Sequence, residues 1–126
     1  MKSDMFLRFV VARKDADSSK REGVFTPAYR LLKSGALAPD PADRLDRALS
    51  WFQLHLPLPD RSRITPRGIF WYKADAEDLV RRMWEIANVL EAAGVAVELI
   101  RATKPGYVLY EDRYQVCAVP FRDTGA

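Results

Sequence analysis

One cysteine, Cys117, and one histidine, His55, are all that the 126 residues provide of either type. A single cysteine excludes an internal disulfide, so the staple that marks small secreted domains is absent. One cysteine and one histidine leave no ligand spacing for a structural zinc site, and there is no run of aspartates of the magnesium or calcium kind. Glycine is scarce, six residues placed singly, which leaves neither a glycine-rich phosphate cradle nor a nucleophile elbow. No metal and no cofactor is therefore expected. Nor does any apolar run approach the length of a membrane span. The longest near the start, 5–12, contains Arg8 and leads into Arg13-Lys14-Asp15 instead of a small-residue cleavage site. A signal peptide is not expected, and the cytoplasm is the expected location.

What is present fits one ordinary globular domain. Residues 1–126 read as a single unit, long enough to bury a core without staples. Short disordered ends and mobile loops at about 13–23 and 56–67 are expected. Twenty basic residues stand against seventeen acidic ones, a net charge of +3. They are interspersed, where a nucleic-acid binder shows a dense basic stripe, so a nucleic-acid partner is only weakly supported.

The pattern predicts three helices. Thr26-Pro27 is a favourable start, with Gly35 as terminator. Asp40-Pro41 repeats the device and opens a helix with Leu45, Ala48, Leu49 and Phe52 on one stripe. Asp75 precedes the longest helix, with Val80, Met83, Ala87 and Leu90 at helical spacing and Gly94 as its stop. The remaining apolar segments read as strands: 5–12, 69–72, 95–101, 107–110 and 114–119. The first is apolar on both faces except at Arg8, and Ile69-Phe70-Trp71-Tyr72 reads as an interior strand. The segment 95–119 reads as an antiparallel meander. The expected fold is α+β, a mixed sheet of about five strands packed with three helices, in the order β-α-α-β-α-β-β-β.

Few residues point to chemistry. Arg61, Arg63 and Arg67 lie close together in a proline-flanked loop and are the candidate ligand-binding set, because planar guanidinium groups on a stiff loop suit phosphate or carboxylate. The alternative is a solvated loop pairing with acids such as Asp60. Arg67-Gly68-Ile69-Phe70-Trp71-Tyr72 has the opening of an RNP1 signature, but Ile69 replaces an aromatic and bulky Phe70 takes a small-residue position, so core packing is the better account. If all three helices cover one face of the sheet, Phe9, Trp71 and Tyr72 are the candidates for an exposed interface on the other. His55 reads as a helix-end residue before a general base. Cys117, between Val116 and Ala118, reads as buried packing and not as a nucleophile. Glu111 and Asp112, beside Tyr110, are neighbours at a turn and so do not form an acid–base couple by adjacency.

No catalytic residue is designated. The first expectation is a small accessory or regulatory protein acting through protein contacts, with itself as a homodimer or with another protein. An anion-binding module using Arg61, Arg63 and Arg67, for nucleic acid or a phosphorylated ligand, is the alternative. An enzyme using His55, Tyr110 and Glu111 comes third and requires those three to converge in space.

Overall fold

The computed structural model describes residues 5–122 apart from 17–19, 61 and 63. Its elements are β1 (Phe6–Lys14), β2 (Arg21–Gly23), α1 (Phe25–Ser34), α2 (Pro39–His55), β3 (Ile69–Lys73), α3 (Glu77–Ala92), β4 (Glu98–Ala102), β5 (Tyr107–Glu111) and β6 (Gln115–Val119). The class is α+β, and the main elements follow the expected order. The short β2 is an addition, lying in a segment expected to be loop.

The helices begin away from the expected caps: the N-cap positions are Val24, Ala38 and Ala76, none with a side-chain cap hydrogen bond, in place of Thr26, Asp40 and Asp75. α1 begins at Phe25 and stops at Gly35, whose φ of 71° is left-handed; the missing Cβ makes that turn inexpensive. α2 starts at Pro39, two residues before Pro41, because either proline suits a first turn whose N–H groups have no intrahelical partner. α3 places Glu77 and Asp78 in its first turn, where the helix dipole favours negative charge.

The sheet is antiparallel throughout, not mixed. β3 and β4, joined by α3, do run parallel to each other, but β1 lies between them and pairs with both. The expected meander is likewise reduced to the β5–β6 hairpin, because β4 pairs with β1 from Phe6↔Ala102 to Val10↔Glu98. The strand order is β4-β1-β3-β6-β5, with β2 also on β1.

This order forces the sheet to curl. β4 and β5 sit at opposite edges, yet only residues 103–106 join them. In a flat sheet, four strand spacings and the register offset would separate Ala102 from Tyr107 by about 25 Å. Five residues at full extension span only about 17 Å. The edges must therefore bend towards each other around one face, and Pro105 in the connection is buried.

Alternation along the strands divides the core accordingly. Phe9 and Tyr72, with Phe70 and Leu99, face α1, α2 and α3 and join Ala28, Leu45, Leu49, Phe52, Met83 and Ile86 in the larger cluster. Ile69, Trp71 and Val116 face the other way, packed with Phe6, Ile100 and Ala102 inside the curl, and no helix residue belongs to that cluster. All three helices thus share one face, but the opposite face is not left open. Phe9, Trp71 and Tyr72 are all buried within the single chain, Trp71 completely. They form no exposed patch, because the curl covers one side and the helices cover the other.

Candidate functional site

The site arises where β1 and β3 part. They pair only at Phe6↔Lys73 and Leu7↔Tyr72. β4 occupies one edge of β1 as far as Val10, so β2, paired at Val10↔Gly23 and Lys14↔Arg21, must share the other edge with β3. A fork opens between β2 and β3, and it holds a cavity of about 220 Å³. Both faces of the sheet contribute to its wall, so the cavity is a slit between strands.

One part of the wall is apolar: Phe9, Val24, Phe25, Ile69, Phe70 and Met83. The other is polar: Arg8, Asp15, Arg21, Glu22, Thr26 and Tyr72. Concave apolar surface with a few convergent polar groups is the usual composition of a small-molecule site.

Arg8 is the central polar group. It is 7% exposed, and its Nη2 donates to the Arg21 carbonyl at 2.7 Å. Its guanidinium also lies over the Trp71 ring, 5.8 Å from the centroid. Burial lowers its pKa to about 10, opposed by the nearby Tyr72 and Asp15, so Arg8 is a cation at neutral pH. Burial raises the Tyr72 phenol and keeps it protonated. Arg21 turns its Nη1 to Glu98 at 2.7 Å, reaching across β1 to β4. Glu22 Oε1 is ion-paired with Arg30 Nη2 at 3.7 Å and has no hydrogen bond among the described residues.

Of the loop arginines only Arg67 is described, and it does not line the cavity. Arg61 and Arg63 lie outside the described residues. Arg67 is exposed and precedes Gly68, which lines the cavity. The loop is anchored from the sheet: the buried Gln115 donates through Nε2 to the Pro57 carbonyl at 2.9 Å and to Asp112 Oδ2 at 3.0 Å.

His55, Tyr110 and Glu111 each engage a different partner. The His55 ring stacks on Trp51 with centroids 4.7 Å apart, and its Nδ1 donates to the Trp51 carbonyl. Tyr110 donates to Asp112 Oδ2 at 2.6 Å. Glu111 pairs with Lys73 at 2.6 Å. Cys117 is buried, which raises its thiol pKa, the reverse of what a reactive thiolate needs. Among the described residues, no group of three or more His, Cys, Asp or Glu side chains is placed to hold a metal ion. No helix among them is long and apolar enough to cross a membrane.

A second hollow, about 610 Å³, lies between α2 and α3 and carries Arg44, Arg47, Trp51, His55 and Arg82. It is larger, but Arg44, Arg47 and His55 are exposed. Arg47 and Arg82 already pair with Asp43 at 2.8 Å and Glu85 at 3.3 Å. Paired surface charges hold a ligand less firmly than a buried guanidinium does.

Arg8 was visible in the sequence as the one charge in an otherwise apolar strand. Glu22 carried no such signal, because β2 itself went unseen. Comparisons with protein-family models, with curated proteins and with solved structures find no match for the chain.

Proposed function

We propose that the chain is a small-molecule binding domain whose ligand is a compact organic carboxylate held in the slit between β1, β2 and β3. The observation that carries this reading is the buried Arg8 guanidinium on the wall of this half-open slit. Taking a charge out of water is costly, and a buried ion pair contributes little to stability compared with apolar packing. A binding task accounts for a cation at that position. The planar guanidinium matches a carboxylate, and the apolar wall of Phe9, Phe25, Phe70 and Met83 suits a small hydrocarbon body. The cavity volume of about 220 Å³ suits a compact ligand. This reading keeps the anion-binding expectation but places the anion on Arg8.

Isocaproate is a suitable probe, with one carboxylate and a branched apolar tail. Titrated into ¹⁵N-labelled protein, it should shift the amide signals of Arg8, Gly23, Val24, Gly68 and Phe70 together. Shifts scattered over the surface, or none at millimolar probe, would remove the reading.

The protein-contact reading retains one specific support. Leu54 and Leu58 are 80% and 94% exposed at the end of α2 and just beyond it, and in this reading they make up a small apolar patch. In this reading two copies associate through that patch. Sedimentation of the wild type should then show dimer at micromolar concentration, and L54D/L58D should sediment as monomer. A monomeric wild type would end it.

A further inference from the structure

We infer that the ligand of the slit carries a peptide group, bound as one residue of an added strand on the open edge of β3 at Phe70. The inference rests on the slit of the reading above and deepens it by naming the ligand's class, a short acylated peptide. The strand register carries it. On its β6 edge β3 is paired from Ile69↔Ala118 to Tyr72↔Gln115. On its β1 edge the pairing stops at Leu7↔Tyr72, and no strand residue among the described residues is registered opposite Phe70 there. Successive residues of a strand turn their backbone groups to alternate edges. Lys73 donates its N–H to Tyr114 on the β6 side at 2.8 Å, and Ala74 donates to Met5 on the β1 side at 3.1 Å. By that alternation Phe70 turns its N–H and C=O away from β6 and towards the slit. Phe9 would be its partner in register, but the Phe9 carbonyl accepts from the Val24 amide instead, at 3.2 Å. Phe70 is half-buried and lines the slit, so its backbone is presented to whatever enters.

An open strand edge is a template for another backbone. One residue of an extended ligand exchanges both hydrogen bonds with Phe70: its N–H donates to the Phe70 carbonyl, and its C=O accepts from the Phe70 amide. Directly opposed residues place their side chains on the same face of a sheet. The Phe70 side chain packs against the helix-side cluster, so the ligand's side chain points the same way, where Phe9, Phe25 and Met83 line the slit. That wall calls for a small apolar side chain. A fatty acid offers the slit only an apolar body and leaves both Phe70 groups to water, whereas a peptide engages both. Nothing in this pairing uses Arg8, so the peptide group and the carboxylate are tested separately.

Three carboxylate probes separate the peptide group from the reading beneath it. Acetylalanylglycine carries the alanine N–H and C=O, acetyllactoylglycine has an ester oxygen in place of that N–H, and isocaproate has no peptide group. Calorimetric titration of the wild type should give acetylalanylglycine about fivefold tighter than acetyllactoylglycine or better, the scale of one hydrogen bond. At saturation acetylalanylglycine should slow hydrogen exchange at the Phe70 amide about tenfold or more. Equal affinity of these two probes overturns the added strand, and so does protection at the outer edge of Tyr107–Glu111 in place of Phe70. Isocaproate then decides the reading beneath. If it still binds in the slit, the carboxylate site stands without the strand; if no probe binds, both fall.

Discussion

The guanidinium of Arg8 lies over the indole of Trp71, 5.8 Å from the ring centroid, and both side chains are buried. Arg8 is thus packed on the inside of the curled sheet while also lining the slit. Its charge is held by the Arg21 carbonyl and by the indole face, an arrangement that fixes the fork before any ligand arrives. Preorganised charge of this kind lowers the cost of binding.

Replacing Arg8 by Met removes the donor to the Arg21 carbonyl and a cation that interacts with Asp15. Removing one member of a buried polar pair is destabilising, unlike replacing the whole pair by apolar residues. Arg8→Met should therefore lose about 1–3 kcal/mol, measured by urea denaturation, and still fold. Unchanged stability would show that these contacts contribute nothing.

Gly68 touches the last strand closely. A Cβ added there would lie 2.7 Å from Cys117 Sγ and 3.1 Å from the Thr65 carbonyl. Gly68→Ala should cost about 1–3 kcal/mol as overpacking. Adding Cys117→Ala removes the nearer obstacle, so the double variant should recover part of the loss. Strict additivity of the two losses in a double-mutant cycle would contradict the contact.

Trp71 is buried, and its Nε1–H has no acceptor among the described residues. An unpartnered donor offsets part of what the ring gains from burial. Trp71→Phe should therefore cost less than about 2 kcal/mol, whereas Trp71→Ala should cost about 3–5 kcal/mol as a cavity. Equal losses for the two, measured by thermal unfolding, would mean that the N–H carries the stability.

Asp112 organises the β5–β6 turn. Its Oδ1 accepts from the Tyr114 and Gln115 amides, and its Oδ2 accepts from Tyr110 and from Gln115 Nε2. Partial burial raises its pKa, but those four hydrogen bonds outweigh it and the net shift is downward. A carboxyl lowered in the folded state stabilises above its unfolded pKa, near 3.9, and loses that contribution as pH falls through the folded value. Asp112→Asn should therefore melt below the wild type at pH 6, with the gap closing towards pH 2. A gap that stays constant would show that the titration of Asp112 does not matter.

Local pattern made the helices legible. The stripe of Met83, Ala87 and Leu90 and the stop at Gly94 needed no tertiary information. The doubly apolar Ile69–Tyr72 also reads correctly as interior, since β3 lies between β1 and β6. Pairing between distant strands was not legible. Nothing in Glu98–Ala102 says that it crosses to β1 instead of joining β5, and that crossing is what curls the sheet and buries Trp71. The slit shares this origin, because it exists only where β2 displaces β3 from β1. Arg8 could be noticed in the sequence, but its neighbours Arg21 and Glu22 belong to a three-residue strand too short for alternation to reveal.

The most direct test of the account is the affinity of isocaproate for the wild type and for Arg8→Met, measured side by side by calorimetry on protein confirmed to be folded. A charge-assisted hydrogen bond contributes about 1.5–3 kcal/mol, so binding should weaken at least tenfold in Arg8→Met. Equal affinity in the two proteins would contradict a carboxylate held by Arg8.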